Sequence, residues 1–262
     1  MSQVSEIEWT DATWNPTTGC RKVSPGCKNC YAEKFAERFR GIPGHHFEQG
    51  FDLRLWRDRI ELPLSWKTPK KIFVNSMSDL FIEDIPDEFI GRVFQTMESA
   101  HWHIFQVLTK RPLRLKEWAK TFYSKKISNW PSNIWMGVSV ESQAFLKRVE
   151  VLKSIPSKVK FISFEPLLGD INFDEINLKG IDWAIVGGES GHYARRMEKK
   201  WIESIRMECK INDVAFFFKQ WGAFNSVGEK VGKGKAGRIY KGKTWNEYPV
   251  SDIINSSKLV AA

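Results

Sequence analysis

The sequence predicts an α/β fold of repeated strand–helix units, arranged as either a doubly wound sheet or a (β/α) barrel. From residue 70 onward, apolar runs of strand length alternate with stretches of helical periodicity. The apolar runs are mostly continuous, as expected for parallel strands that are buried on both faces. Each run also gives way to polar or glycine residues at its C-terminal end.

Six apolar runs are predicted strands, and four stretches between them are predicted helices. The predicted strands are Lys71–Ser76, His103–Thr109, Ile134–Val140, Val159–Phe164, Trp183–Gly187 and Ala215–Lys219. The predicted helices are Asp87–Ala100, Leu113–Phe122, Ser142–Leu152 and Lys200–Asn212. Nearer the N-terminus, Ile7–Trp14 is a candidate first strand, and a helix is predicted over Asn29–Arg40.

Length, charge and the lack of long apolar runs indicate a globular protein that does not cross a membrane. A chain of 262 residues can bury a sizeable core. The formal charge of +9, from 40 Lys and Arg against 31 Asp and Glu, favours polyanionic partners such as nucleic acid. The N-terminus has no signal pattern, and no apolar run approaches the roughly 20 residues of a membrane span. We therefore expect a cytoplasmic protein without membrane contact.

The composition changes near residue 222. We expect residues 1–222 to form the main domain and residues 223–262 to form a basic extension that packs on it or trails from it. The extension is rich in glycine and lysine between Gly228 and Gly237, which indicates a basic loop. A solvated loop is favoured over a phosphate-binding one. Tyr240–Lys243 is a candidate hairpin turn.

Three of the four cysteines lie within eleven residues, with the spacing C-x6-C-x2-C. They are Cys20, Cys27 and Cys30, and Cys209 lies far away in a predicted helix. In the cytosol, clustered cysteines indicate metal or redox chemistry rather than disulfides. Three ligands leave one coordination position open, as a catalytic centre requires.

Two metal chemistries remain open at these cysteines. One is zinc, with His45 or His46 as a fourth ligand. The other is a 4Fe–4S cluster, for which Gly19, Pro25 and Gly26 would supply the bends of the loop. The helix that follows the loop would direct its N-terminal amides at the sulfurs of such a cluster.

Polar residues at the predicted strand ends form a second candidate group, because the C-terminal ends of parallel strands meet where α/β enzymes place their active sites. Glu165 and Glu189 could bind hydroxyl or amino groups, act as acid and base, or form salt bridges. Gly187 and Gly188 would let a ligand approach the backbone closely. Lys219 could hold an anionic substrate group. Motifs of P-loop NTPases, Rossmann enzymes, serine hydrolases and zincins do not occur.

A three-cysteine loop before repeated strand–helix units resembles the radical S-adenosylmethionine superfamily. In that superfamily three cysteines bind a 4Fe–4S cluster, and S-adenosylmethionine chelates the fourth iron. The usual first gap holds three residues, whereas the gap between Cys20 and Cys27 holds six. The superfamily's Gly-Gly-Glu motif follows its second strand, whereas Gly187–Glu189 follows a late one. The resemblance implies a partial (β/α) TIM-like barrel of about six parallel strands.

The chain more closely resembles an uncharacterised family, common in phages and prophages, that is described by its three-cysteine motif. The resembling segments are Trp14–Cys20, Asn75–Asp79, Gln106–Pro112, Gly137–Glu141, Ser163–Gly169, Val186–Gly191 and Phe217–Gly222. They cover nearly the whole chain. In part the chain is also similar to spore photoproduct lyases, which are radical enzymes that act on DNA.

The leading hypothesis is a radical S-adenosylmethionine-type iron–sulfur enzyme that repairs or modifies nucleic acid or a nucleotide. It implies a reductant protein as a partner. The cluster ligands would be Cys20, Cys27 and Cys30. The cofactor-binding residues would be Tyr31, Ser76, Ser139, Glu165, Gly187, Gly188 and Glu189, and the catalytic residues Glu165, Glu189 and Lys219.

Two other hypotheses stay open. One is a zinc-stabilised nucleic-acid-binding or phage-related module without catalysis, with His45 or His46 completing the zinc site. The other is a carboxylate-based barrel hydrolase that uses Glu165 and Glu189, with structural cysteines.

Overall fold

A computed structural model describes residues 4–122, 124 and 130–249. Its main feature is one curled sheet of seven parallel strands that forms a half-barrel. In spatial order the strands are β1 (Ala12–Trp14), β4 (Lys71–Val74), β5 (Ile104–Thr109), β6 (Ile134–Ser139), β7 (Lys160–Phe164), β8 (Trp183–Gly187) and β9 (Ala215–Gln220). Two short strands, β2 (Thr17–Thr18) and β3 (Arg54–Leu55), form a separate antiparallel pair. The predicted partial barrel is confirmed, with a seventh strand at the N-terminal edge.

The helices are α1 (Tyr31–Ala36), α2 (Asp87–Ser99), α3 (Pro112–Phe122), α4 (Lys147–Lys153), α5 (Lys199–Ile211) and α6 (Lys233–Ala236). Helices α2 to α5 pack on the sheet, whereas α1 packs against Phe47 and Phe51 beside the cysteine loop. Alternate strand residues and the apolar faces of α2 to α5 form the main core, which includes Val93, Leu115, Val149 and Ile202. None of the helices in the described ranges has the length and apolar character needed to cross a lipid bilayer.

The inner face of the sheet is divided into two layers along the strands. The lower layer, here called the floor, is aromatic and consists of Trp9, Phe73, Trp135, Phe161, Trp183 and Phe217. Because strand side chains alternate with a period of two, the next inward positions continue the same face. Several of these positions are polar, namely Ser139 on β6, Ser163 and Glu165 after Phe161, and Lys219 after Phe217, whereas Ile185 after Trp183 is apolar. The barrel is therefore packed at its base and open at the C-terminal strand ends.

Two residues of the C-terminal extension cover the outer edge of β9 and the floor. The backbone N–H of Phe218 donates to the carbonyl oxygen of Trp245 at 3.0 Å. The ring of Tyr248 lies 5.1 Å from Trp183, and the Lys71 ammonium lies 4.6 Å from the centre of the same tyrosine ring. The segment thus contacts strands from both halves of the sheet.

The turn predicted near residue 240 is present. Tyr240 and Lys243 exchange backbone hydrogen bonds of 3.0 and 3.3 Å, and the φ angles of Lys241 and Gly242 are 49° and 78°. Positive φ at both central residues defines a type I′ hairpin turn, for which Gly at the second position is favourable.

Candidate active site

A cavity of about 440 Å³ lies at the C-terminal ends of the parallel strands. It brings together ten of the eleven site residues proposed from the sequence: Cys20, Cys27, Cys30, Tyr31, Ser76, Ser139, Glu165, Gly188, Glu189 and Lys219. The eleventh, Gly187, lies just behind the wall, where an added Cβ would come 3.1 Å from the Glu165 carboxyl group. One contiguous surface therefore holds both the cysteine group and the strand-end group.

The cysteine loop is held at both of its ends. At its start, the backbone N–H of Gly19 donates to the carbonyl oxygen of Met77 at 3.1 Å, and that of Cys20 donates to Phe51 at 3.3 Å. Gly19 has a φ of 83°, and a Cβ there would overlap the backbone of Asp52, so this close approach needs glycine. At its end, Cys30 is the residue that precedes α1, and its carbonyl oxygen accepts from the Lys34 N–H at 3.2 Å.

The three thiols have different polar neighbours. The Cys20 Sγ accepts from the Arg111 guanidinium at 3.8 Å, while the Cys27 Sγ lies 3.6 Å from the Ser24 hydroxyl. Burial, followed by the nearby Asp79 carboxylate, raises the pKa of Cys20 to about 12. Burial also raises the pKa of Cys30, and this effect outweighs the opposite effect of the backbone amides of Glu33 and Ala32 at the start of α1. Cys30 is the N-cap residue of α1, and its side chain makes no capping hydrogen bond, so the expectation that the helix amides face the sulfurs of a cluster stays a prediction.

This donor set fits an iron–sulfur cluster. Three free thiols border one cavity, and the Arg111 guanidinium donates to one of the sulfurs, an interaction of the kind that tunes cluster potentials. In the described part of the chain, no three His, Cys, Asp or Glu side chains, the three cavity thiols included, are grouped closely enough to hold a metal ion.

The two histidines of the zinc hypothesis lie outside the cavity lining. The ring of His45 stacks on Phe39 with centroids 4.0 Å apart. The His46 ring packs 4.3 Å from Trp56, and its Nε2 lies 3.2 Å from a guanidinium nitrogen of Arg59. Both imidazoles are thus engaged by a neighbouring aromatic cluster.

The two strand-end glutamates are both ion-paired. Glu165 receives the Lys219 ammonium on both carboxylate oxygens, at 2.8 and 2.9 Å. Glu189 is bound by Arg195, whose Nε donates at 2.9 Å, and by the Asn29 amide at 3.1 Å. Burial alone would raise the pKa of Glu189, but the hydrogen bonds from Arg195 and Asn29 outweigh it and lower the pKa. Both residues border the cavity with these pairs in place.

A third carboxylate, Glu141, fixes the middle of the cysteine loop. Its side chain is fully buried at the end of β6. It accepts from the Ser24 hydroxyl and, at 2.9 Å, from Arg148, and the Lys110 ammonium lies at 3.8 Å. An added Cβ on Gly26 would collide with the Glu141 carboxyl group, so the loop packs directly on it.

The model of a family described as "Protein of unknown function (DUF5131)" matches residues 4–249. The chain belongs to this family. No curated protein sequence matches it. It is similar to the structure of a point mutant of spore photoproduct lyase, with a TM-score of 0.45, 9% identity, and 78% of this chain and 75% of that chain covered.

A second similar structure is spore photoproduct lyase complexed with dinucleoside spore photoproduct, at a TM-score of 0.39 and 12% identity. That match covers 76% of this chain and 60% of the other. Membership of the DUF5131 family agrees with the expectation of an uncharacterised family, and the association with phages stays a prediction.

The remaining proposed residues of this DUF5131 member have structural partners at the cavity wall. The exposed Tyr31 donates its hydroxyl to the Ser76 carbonyl oxygen, and the Ser76 hydroxyl contacts the Asn15 amide at 3.1 Å. Ser139 is buried, and its carbonyl oxygen accepts from Arg148 at 2.7 Å. Tyr31, Ser76 and Ser139 therefore line the cavity and also hydrogen-bond to neighbouring segments of its wall.

Sequence reasoning missed four residues that hold the proposed ones: Ser24, Asn29, Arg148 and Arg195. Asn29 stands between the last two cysteines, and Arg195 follows Glu189 by one short loop. The closeness of Asn29 to Cys30 and of Arg195 to Glu189 in the sequence is a signal that could have identified both residues. Nothing in the sequence near Arg148 indicates that it contacts Glu141 and the β6 backbone.

Proposed function

We propose that this protein is a radical S-adenosylmethionine-type iron–sulfur enzyme of the cytoplasm, acting in repair or modification of nucleic acid or of a nucleotide. The observation that carries the proposal is the shared cavity of Cys20, Cys27 and Cys30 with Glu165 and Glu189. A cluster bound there, together with S-adenosylmethionine, would supply one-electron reductive cleavage of the cofactor. A reductant protein is the expected electron donor.

The chain's own residues would bind and orient the two groups. The cysteine thiolates would hold three irons, and the Arg111 guanidinium and the α1 amides would stabilise negative charge on the sulfurs. Lys219 and Glu165 offer one cation and one anion 2.8 Å apart. That pair complements the carboxylate and the ammonium of an amino acid, each of which could exchange for one partner of the existing salt bridge.

Glu189 would bind the sugar of the cofactor. It is ionised, hydrogen-bonded by Asn29 from within the cysteine loop, and lies on the cavity. A carboxylate in this position accepts from neighbouring hydroxyl groups, as acidic residues do for ribose in other nucleotide sites. Gly188 lines the same wall and would permit close approach of a ligand to the backbone.

The ion pairs of the glutamates also weigh against the hydrolase hypothesis. A general acid near neutral pH needs a carboxyl group whose pKa is raised. The pKa of Glu189 is lowered, and Glu165 is held by Lys219 on both oxygens. The zinc hypothesis has less support than the cluster, because neither His45 nor His46 borders the cavity.

Metal analysis tests the proposal directly. After anaerobic reconstitution, the protein should hold about four irons and four sulfides per chain with visible cluster absorbance. Cys20→Ala, Cys27→Ala and Cys30→Ala should each lose most of the iron. Cys209→Ala is the matched control, because Cys209 is buried in the helical layer away from the cavity, and it should keep the iron.

Activity is read separately. Incubation of the reconstituted protein with dithionite and S-adenosylmethionine should release 5′-deoxyadenosine, and Glu189→Gln should reduce this release while the iron content stays unchanged. Stoichiometric zinc in place of iron, or equal iron in the three cavity-cysteine variants and the wild type, would refute the proposal.

A further inference from the structure

A loop at the mouth of the cavity presents an exposed aromatic ring. Tyr193 is 72% exposed. Its position is fixed, because its carbonyl oxygen accepts from the Asn29 amide at 2.9 Å and its ring contacts His192 with centroids 4.9 Å apart. The Lys34 ammonium lies 5.6 Å from the ring centre. The ring is thus held beside the cysteine loop while its surface remains open to solvent.

Besides Lys34, three cations lie on segments next to this loop. We define the basic rim as Lys28, Lys34, Tyr193, Arg196 and Lys230. Lys28 precedes Asn29 in the cysteine loop, and Lys34 lies on α1. The Lys230 ammonium donates to the His192 carbonyl oxygen, and the Arg196 guanidinium packs against Gly228 of the same extension. The rim therefore joins four segments: the cysteine loop, α1, the loop after β8 and the basic extension.

Cations next to the rim are paired with carboxylates. Lys22 pairs with Glu33, Arg195 with Glu189 and Lys233 with Glu8. Among residues 4–122, 124 and 130–249, no ion pair involves Lys28, Lys34, Arg196 or Lys230.

Three carboxylates lie within two residues of a rim cation in the sequence. Glu33 pairs with Lys22 and Glu198 with Lys200, while Glu229 is exposed and hydrogen-bonded to Asn225 at 2.8 Å. The rim keeps a net positive charge after these groups are counted.

We infer that the basic rim binds a single strand of nucleic acid, with a base stacked on Tyr193 and phosphates on the surrounding cations. An exposed ring flanked by unpaired cations is the arrangement that binds unpaired bases and their backbone. A duplex does not offer the open base face that the ring would cover. The inference deepens the proposed function, because it identifies the substrate as a strand rather than a free nucleotide.

Fluorescence anisotropy with iron-free protein tests this inference apart from any cluster chemistry. The probes are a labelled 12-nucleotide DNA strand, the RNA strand of the same sequence, the matching DNA duplex and a labelled mononucleotide. We expect both strands to bind at least tenfold more tightly than the duplex or the mononucleotide. Comparison of the DNA and RNA affinities indicates which strand is preferred.

Variants locate the binding surface. Tyr193→Ala should weaken strand binding about tenfold, and Tyr193→Phe should restore it. The triple variant Lys34→Gln, Arg196→Gln and Lys230→Gln should reduce the salt slope of log K by about two to three. The control triple variant Lys120→Gln, Lys147→Gln and Lys210→Gln removes the same charge from exposed positions on α3, α4 and α5.

Several outcomes would overturn the inference. One is equal loss of affinity in the two triple variants, since binding would then follow net charge alone. Another is duplex binding as tight as strand binding. A third is binding that is stronger to anionic lipid vesicles or to heparin than to either strand. Because the measurement uses iron-free protein, a failure here is distinct from a failure to reconstitute a cluster.

Discussion

At the scale of single residues, Glu141 connects the sheet to the loop that carries the cysteines. It is fully buried at the end of β6, and its partners Ser24, Arg148 and Lys110 come from three different segments. Removal of one member of such a group leaves the remaining charges buried without a partner. The conformation of the cysteine loop thus depends on a residue that is not a proposed ligand.

Glu141→Ala should therefore lower the free energy of unfolding by about 3–5 kcal/mol in urea titrations. The same variant should bind iron less completely at equal folded protein. Glu150→Ala is the matched control, because Glu150 pairs with Lys153 on the exposed side of α4 and should cost about 0.5 kcal/mol. Equal stability of the two variants would contradict this role of Glu141.

His103 makes the stability of the folded protein sensitive to acid. It is fully buried, accepts from the Lys70 N–H at Nδ1, and has Nε2 at 3.2 Å from the Pro63 carbonyl oxygen. Burial lowers its pKa below the ordinary 6.5. The unfolded chain therefore binds more protons than the folded chain in the window below pH 6.5, and stability is lost as the pH falls through it.

His103→Gln should remove the part of the pH dependence of stability that comes from His103. The unfolding midpoint of this variant should therefore change less between pH 7.5 and pH 5.5 than that of the wild type. His101→Gln is the control, because His101 is exposed two residues away. The two variants are compared by urea titration at both pH values. An unchanged pH dependence in His103→Gln would show that other groups carry it.

The residue scale also shows what sequence could and could not indicate about the site. Glu165, Glu189 and Lys219 were identifiable because each follows an apolar run, where strands of an α/β fold place polar groups. Their partners were not, since the contact of Glu189 with Asn29 depends on how two distant loops meet. Pairing of Glu165 with Lys219 was one of several salt bridges that the sequence left open.

At the scale of elements, the ends of β8 and β9 meet without space for side chains. The Gly188 N–H donates to the Gln220 carbonyl oxygen at 3.0 Å, and the Gln220 amide donates back to the Gly188 carbonyl oxygen at 2.9 Å. An added Cβ on Gly188 would overlap the carbonyl oxygen of Trp221. This contact sets the position of Glu189 beside the cavity.

Gly188→Ala should destabilise the protein by about 1–3 kcal/mol, because the backbone of Trp221 must move. It should also weaken binding of S-adenosylmethionine, measured by calorimetry on the reconstituted protein. Gly234→Ala in α6 is the control, since an added Cβ there meets no neighbour and should leave stability unchanged or slightly higher. A neutral Gly188→Ala would show that the strand ends separate readily.

Element boundaries were less predictable than element positions. The predicted strand Lys71–Ser76 ends at Val74, because Asn75 has a φ of 60° and leaves the extended conformation. The predicted helix Ser142–Leu152 divides into a 3-10 turn, Gln143–Phe145, and α4. The candidate strand Ile7–Trp14 is limited to β1, since a turn joins the Thr10 N–H to the Ile7 carbonyl oxygen. Apolar periodicity does not record such local hydrogen bonds.

At the scale of the whole molecule, the half-barrel depends on the extension that follows it. Besides the contacts of Trp245 and Tyr248, the indole of Trp183 donates to the Glu247 carbonyl oxygen at 2.8 Å. Tyr248 also packs 5.5 Å from Phe217, and burial raises its pKa to about 12. These contacts cover an edge strand that would otherwise expose backbone hydrogen-bonding groups.

Tyr248→Ala should lower the free energy of unfolding by about 2–3 kcal/mol, because it removes a half-buried ring from Trp183 and Phe217. Tyr193→Ala, at the exposed rim, should stay within about 0.5 kcal/mol of the wild type. Thermal and urea unfolding measure both. A smaller loss for Tyr248→Ala than for Tyr193→Ala would contradict the role assigned to the extension.

The architecture was predictable because continuously apolar strands specify burial on both faces, which parallel sheets require. The sequence indicated less clearly that the inner face divides into an aromatic floor and an open cavity at the C-terminal strand ends. Trp135 and Trp183 read only as apolar residues within their strands, although their rings meet 6.2 Å apart on the inner face. The curl of the sheet decides that meeting, and no local pattern encodes it.

The contacts of Trp245 and Tyr248 have a consequence for biosynthesis. A ribosome makes this segment after every strand of the sheet, at about 5–20 residues per second. For the seconds before it emerges, β9 has a free edge and Trp183 lacks its cover. The nascent chain therefore lacks this cover until synthesis has passed Tyr248, and the edge of β9 stays open to other partners until then.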